Sequence, residues 1–107
     1  EAVYCQDDNV LTGVLQAIKE AKRTDIKVVL GGAGSKEVYK MIMDGDALVS
    51  GDVTYPPRMI YNAIMLSIDY IKGTKTFPAN AHIEVIEAAE LITKANVANY
   101  YEPNSAF

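Results

Sequence analysis

Two adjacent carboxylates, Asp7 and Asp8, follow the short apolar run Ala2-Val3-Tyr4-Cys5 and precede a helical pattern. Carboxylates placed there could hold a metal, exchange a proton, cap the helix or accept hydrogen bonds from a ligand. Neighbouring residues at a strand end point in different directions, so a shared metal ion or an acid–base pair is disfavoured. One of the two is expected to cap the first helical turn, whose N–H groups lack partners. The other is then left to accept from a bound hydroxyl or amine.

Gly31-Gly32-Ala33-Gly34 is the second chemical candidate. It follows a strand pattern and precedes a helix, the arrangement that cradles phosphate at a helix N-terminus. It lacks the Gly-Lys-Ser/Thr ending of a phosphate loop and does not fit the dinucleotide spacing. A tight turn in which glycine lets another backbone approach closely accounts for it as well. His82 is the single histidine, with no nucleophile in a recognisable motif near it. Cys5, the single cysteine, reads as a small buried strand residue and excludes an internal disulfide. Tyr55 differs from the other tyrosines in standing at a strand-to-helix junction.

These residues need elements to position them. Residues 2–6 read as a strand. Val10, Leu11, Val14, Leu15, Ile18 and Ala21 then repeat at helical spacing, with Gln16, Lys19, Glu20 and Lys22 on the other face. Ile26 to Leu30 is a second strand, and its unbroken apolar run suits burial on both faces. Ser35 caps a second helix carrying Val38, Met41 and Ile42 inward, ended by Asp44-Gly45-Asp46. Ala47 to Val53 is a third strand. Pro56-Pro57 opens a third helix that runs to Lys72-Gly73, proline suiting a first turn whose N–H has no partner. Met59, Ile60, Tyr61, Ile64, Met65, Leu66, Ile68, Tyr70 and Ile71 cover nearly its whole circumference. A helix apolar all round is buried on more than one side, so this one calls for a second copy or for more protein. A loop at 74–81 leads to a fourth strand at His82–Ile86. Leu91-Ile92 adds a short extended piece, Thr93 caps a last turn, and Pro103-Asn104-Ser105 is a tail.

The alternation β-α-β-α-β-α-β predicts an α/β fold: a Rossmann-like, mostly parallel sheet with flanking helices and right-handed crossovers. In such a sheet the junctions at Gln6-Asp7-Asp8, Gly31 to Gly34 and Asp52 to Tyr55 share one edge, where open α/β sheets bind ligands. At 107 residues the chain holds one core. Its net charge of -4, with Lys19, Lys22, Arg23 and Lys27 interrupted by Glu20 and Asp25, argues against nucleic acid as a partner. No apolar run approaches the roughly 20 residues of a membrane span. No metal set and no cofactor motif is visible.

The order of these segments resembles a family. "VYCQDDNVLTGVLQAIKEA" at 3–21 is similar to the strand–Asn/Asp–helix segment of type 1 periplasmic solute-binding proteins of the ribose and galactose kind. "DIKVVLGGAG" at 25–34 resembles the next strand and its ligand loop. "ALVSGDVTYPPRMIYNAIMLSIDYIKG" at 47–73 resembles the third strand, the hinge crossing and the helix after it, and "ITKANVANYY" at 92–101 the closing segment. The resemblance implies a C-terminal fragment, half of a two-lobe fold. Residues 1–54 would form part of the C-terminal lobe. Residues 55–80 would be the hinge crossing and a helix packed in an absent N-terminal lobe, and 81–107 a return segment and tail. The start of the chain, without an initiator methionine, fits that expectation.

The family is not enzymatic. It captures a small polar solute, mostly sugars, in the periplasm or, extracellular and membrane-associated, in Gram-positives, and hands it to an ABC permease. By resemblance Asp7 stands where sugar binders carry an Asn, Gly32 close to where relatives carry an Asp, and Thr54 at the position of a hinge Gln or Asn. With Tyr55 these are the expected ligand-binding residues. An aspartate accepts but cannot donate as an amide does, and Gly32 has no side chain. A polyol or modified sugar therefore stands level with a pentose or hexose. Two rivals remain at this level: the effector-binding domain of a lac-repressor-type regulator, and an α/β enzyme using the Gly-rich loop for phosphate.

Overall fold

The computed structural model describes residues 1–56, 58–79 and 89–105. Strand β1 (Ala2–Tyr4), helix α1 (Asp8–Glu20), β2 (Val28–Leu30), α2 (Lys36–Asp44), β3 (Val49–Val53), α3 (Arg58–Ile71) and β4 (Leu91–Thr93) follow in order, and a 3-10 turn at Val97–Asn99 comes last. The strands form one sheet in the order β1-β2-β3-β4. β1, β2 and β3 are parallel, and β4 pairs antiparallel to β3. The fold is therefore α/β and Rossmann-like, with a mostly parallel open sheet and flanking helices.

Local chemistry explains the helix limits. Asp7, in an extended conformation, caps α1 by accepting from the Asn9 N–H. Ser35 caps α2 by accepting from the Val38 N–H, and Gly45 ends it in the left-handed conformation at φ +79°. There the Asp46 N–H reaches back to the Met41 carbonyl at 2.9 Å, so an exposed glycine turn satisfies a carbonyl the helix leaves open. Met59 N–H donates to the Pro56 carbonyl in the first turn of α3.

One face of the sheet carries the core. Val29, Val49 and Ile92 meet Leu11 of α1 and Val38, Tyr39 and Ile42 of α2, with Cys5 and Val97 at the margins. Cys5 is buried, as expected of a strand-end hydrophobe. The outer face is uncovered along Tyr4, which is exposed, and Leu91, 55% exposed. Leu30 and Leu91 converge there over Gly51, where a Cβ would stand 3.3 and 3.6 Å from their methyls.

A bulge interrupts the pairing of β2 with β3. Val29 pairs with Val49 but Leu30 pairs with Gly51, leaving Ser50 as the extra residue. Simple alternation from the inward Val49 would aim Asp52 outward. The bulge reverses the parity and turns Asp52 onto the core face beside Ile92, its partner in β4.

α3 stands apart. None of its described residues is buried, and it packs against no other element through a broad contact. Ile60 and Ile71 are 68% and 81% exposed. The radius of gyration is 18.0 Å, against about 13 Å for a compact domain near this size.

The strand expected at His82–Ile86 lies outside the described residues, as does His82 itself. Two other expectations change. The segment expected only as a short extended piece, Leu91-Ile92, is β4, and it runs antiparallel. Thr93 belongs to that strand rather than capping the last turn. The 3-10 turn begins after Asn96, whose side-chain oxygen instead accepts from the Thr93 N–H at 2.7 Å.

Candidate functional site

Because β1, β2 and β3 are parallel, their carboxyl ends share an edge, and the three junctions meet there. Ala33 bridges to Thr54 across the loop ends. The Tyr55 hydroxyl faces Asp7 Oδ2 at 3.4 Å, although the two residues are 48 apart in sequence. Asp7 Oδ1 accepts from Asn9 N–H at 2.8 Å. Asp7 is thus both the helix cap and a half-exposed group at the edge, with its second oxygen directed at an exposed phenol. Burial of its ring edge, followed by the charge of Asp7, pushes the Tyr55 phenol up from its ordinary value.

Asp8 has the opposite role. It is 3% exposed. Its Oδ1 accepts from Gly32 N–H at 3.1 Å and its Oδ2 from Ser35 N–H at 2.6 Å. The carboxylate therefore occupies the position at which a Gly-rich loop and helix N-terminus would hold an anion. A phosphate arriving there would displace a buried carboxylate and face its charge, which removes the physical basis for the phosphate-enzyme reading.

The other expected residues contribute differently. Gly32 is buried, and its N–H is taken by Asp8. A Cβ there would lie 3.4 Å from the Gln6 carbonyl oxygen, an ordinary contact, so space at this position does not demand glycine. Thr54 is tied to the segment before β4: its N–H donates to the Glu90 carbonyl at 3.0 Å and its Oγ accepts from Glu90 N–H at 2.9 Å. The Tyr100 hydroxyl in turn donates to the Glu90 carboxylate. The structure brings Asp7 and Tyr55 into direct contact and sets Thr54 beside the loop. Gly32 lies beneath them as a packing position.

A hollow of about 280 Å³ opens between the N-termini of α1 and α2, lined by Asp7, Asp8, Asn9, Thr12, Ala33, Ser35 and Glu37. Its charged lining is wholly acidic, and its hydroxyl and amide groups come from Thr12, Ser35 and Asn9. Such a surface accepts from hydroxyls and amines and repels anions. Asn9, Thr12 and Glu37 carry no motif signal. They reach the hollow because each lies in the first turns of a helix whose start the sequence does reveal.

Asp52 is the residue sequence reading missed. It is fully buried. Its Oδ1 accepts from its own neighbour's N–H, that of Val53, at 2.7 Å, while Oδ2 has no hydrogen-bond partner within bonding geometry among the described residues; the Val53 and Gly34 N–H groups both favour the charged form. Burial, then the charge of Asp8, pushes its carboxyl up to about 6. Tyr39, held up to about 12 mainly by burial and by Asp52, closes the same space from α2. Among the described residues no group of three or more His, Cys, Asp or Glu side chains could hold a metal. No described helix is long and apolar enough to cross a membrane.

Fold and edge geometry together define an open α/β domain with a polar, acidic edge at its strand ends. No family model matches the chain. It is similar, at 41% identity over 54 residues, to the galactofuranose-binding protein YtfQ of Escherichia coli strain K12. That stretch is 49% of this chain and 17% of the relative's length.

Proposed function

We propose that this chain forms the ligand edge of one lobe of an extracytoplasmic solute-binding protein, and that its solute is a sugar or a sugar-like polyol. The observation that carries the reading is the Asp7–Tyr55 contact at the shared strand edge, above a Gly-rich loop whose anion position Asp8 already fills. A carboxylate and a phenol side by side suit a solute that presents several hydroxyls. The 41% identity to a galactofuranose-binding protein supports the same class of solute. Capture proceeds by hinge closure: the solute bridges this edge and a facing lobe, and its differential affinity favours the closed form. The closed form is then read by an ABC permease.

The same proposal gives α3 a place. Its uncovered apolar surface packs in the facing N-terminal lobe, with residues 55–80 as the crossing. The uncovered outer face of the sheet is closed by the remainder of the parent protein, because a parallel sheet is stable when both faces are covered.

The test is a titration of the isotope-labelled chain with methyl galactofuranoside, ribose and inorganic phosphate, followed through backbone amide shifts. Saturable shifts centred on Asp7, Thr54 and Tyr55 with a sugar, and none with phosphate, are expected. Shifts with phosphate at Gly32 and Ser35, or sugar-induced shifts confined to other parts of the chain, would overturn the reading.

A further inference from the structure

Two carboxyl groups lie close together at the base of the candidate site, Asp8 at the edge of its hollow and Asp52 behind it. Asp8 is 3% exposed and Asp52 0%. The space between them is the side-chain direction of Gly31: a Cβ there would stand 2.5 Å from Asp8 Oδ1 and 3.2 Å from Asp52 Oδ1. Both oxygens of Asp8 accept from backbone N–H groups. Asp52 Oδ2 has no hydrogen-bond partner among the described residues. A buried carboxylate oxygen without a donor, beside a second carboxylate, is the arrangement in which two negative charges cannot both persist.

We propose that Asp8 and Asp52 hold one proton between them, and that losing this proton as pH rises loosens the Gly31–Ser35 loop. The path is short. A second charge on Asp52 repels Asp8, and Asp8 is the group that pins Gly32 and Ser35.

Among the described residues the surroundings offer no compensating cation. From β1 the pair faces the Cys5 thiol, itself pushed up by burial and then by Asp8. From α2 it faces the Tyr39 phenol, which also feels Tyr100 and Glu90. From the end of β3 it faces Tyr55, and Asp7 lies beyond. Lys36, in the first turn of α2, is directed elsewhere, with its ammonium donating to the Ser105 carbonyl at 2.8 Å. Every titratable group that the described residues set around the pair is therefore neutral or acidic, so a proton is the available neutraliser. The bulge at Ser50 is the device that brings Asp52 into this position.

The experiment is a carbon-detected titration of the side-chain carboxyls of the full 107-residue chain, with amide exchange of Gly32 and Ser35 followed over the same range. One carboxyl of the pair is expected to release its proton at least a full pH unit above the ordinary aspartate value of about 3.9. The protection of the Gly32 and Ser35 amides, corrected for the intrinsic effect of pH, is expected to fall across the same step. In Asp52→Asn that protection should persist through the range. Both carboxyls titrating near the ordinary value would overturn the proposal, and so would unchanged protection across the step. Abolition of the step by calcium or magnesium alone would assign the pair to a cation instead. If Asp52→Asn does not fold, the wild-type titration decides by itself. None of these readouts requires a solute, so the outcome is separable from the proposed function.

Discussion

Replacing Asp52 with asparagine should stabilise the domain, by an amount that depends on pH. The native carboxyl is held up to about 6, from an ordinary 3.8. The folded state therefore binds more protons than the unfolded chain between those values. The neutral form's favourable contribution is complete below about pH 4 and is lost as pH rises through about 6. A shift of roughly two units at 1.36 kcal/mol each gives a penalty of up to about 3 kcal/mol at neutral pH. Asparagine keeps an Oδ1 that can accept from Val53 N–H and carries no charge. Its amide can also donate toward Asp8, which aspartate does only when protonated. Urea unfolding of both proteins followed by circular dichroism at pH 4, 5, 6 and 7 gives the difference in stability. The variant should match the wild type at pH 4 and exceed it by a margin that grows to about 2–3 kcal/mol at pH 7. A difference independent of pH, or one in which the wild type gains on the variant as pH rises, would refute the reasoning.

Other perturbations have equally definite outcomes. Gly31→Ala drives a methyl to within 2.5 Å of a carboxylate fixed by two N–H groups, and chemical denaturation should show a loss of about 1–3 kcal/mol. Ala33 stands at φ +146°, a backbone conformation that suits glycine; Ala33→Gly should raise stability by about 1 kcal/mol, measured as an upward shift in Tm. Ser35→Ala removes the α2 cap, the hydroxyl oxygen that accepts from Val38 N–H, while leaving the backbone bond to Asp8, and should cost about 1 kcal/mol in the same denaturation assay.

The sequence made the helices legible because their evidence is local. Apolar spacing located α1 and α2, Ser35 and Gly45 marked limits by their chemistry, and the Val28-Val29-Leu30 run located a central strand. The shared edge followed from the alternation of elements, and with it the meeting of Asp7 and Tyr55. What stayed hidden depended on geometry across the chain. Asp7 and Asp8 are adjacent acids, and only the position of the Gly32 and Ser35 N–H groups decides which one caps and which one clamps the loop. The bulge at Ser50 leaves no trace in residue type, yet it inverts the face of Asp52. β4 has three residues, too few for a periodicity, and its direction depends on the path taken before it. The apolar circumference of α3 was legible as a demand for partners, and the described structure leaves that surface uncovered.

Asp7, at the shared strand edge, is proposed to grip a hydroxylated solute, and the dissociation constant of methyl galactofuranoside for the wild-type chain and for Asp7→Ala, read from amide shifts at Thr54 and Tyr55, tests this. A hydrogen bond to a charged group contributes roughly 1.5–3 kcal/mol, so the variant should bind at least about tenfold more weakly with its fold unchanged. An affinity that does not move on removing the Asp7 carboxylate would contradict the account.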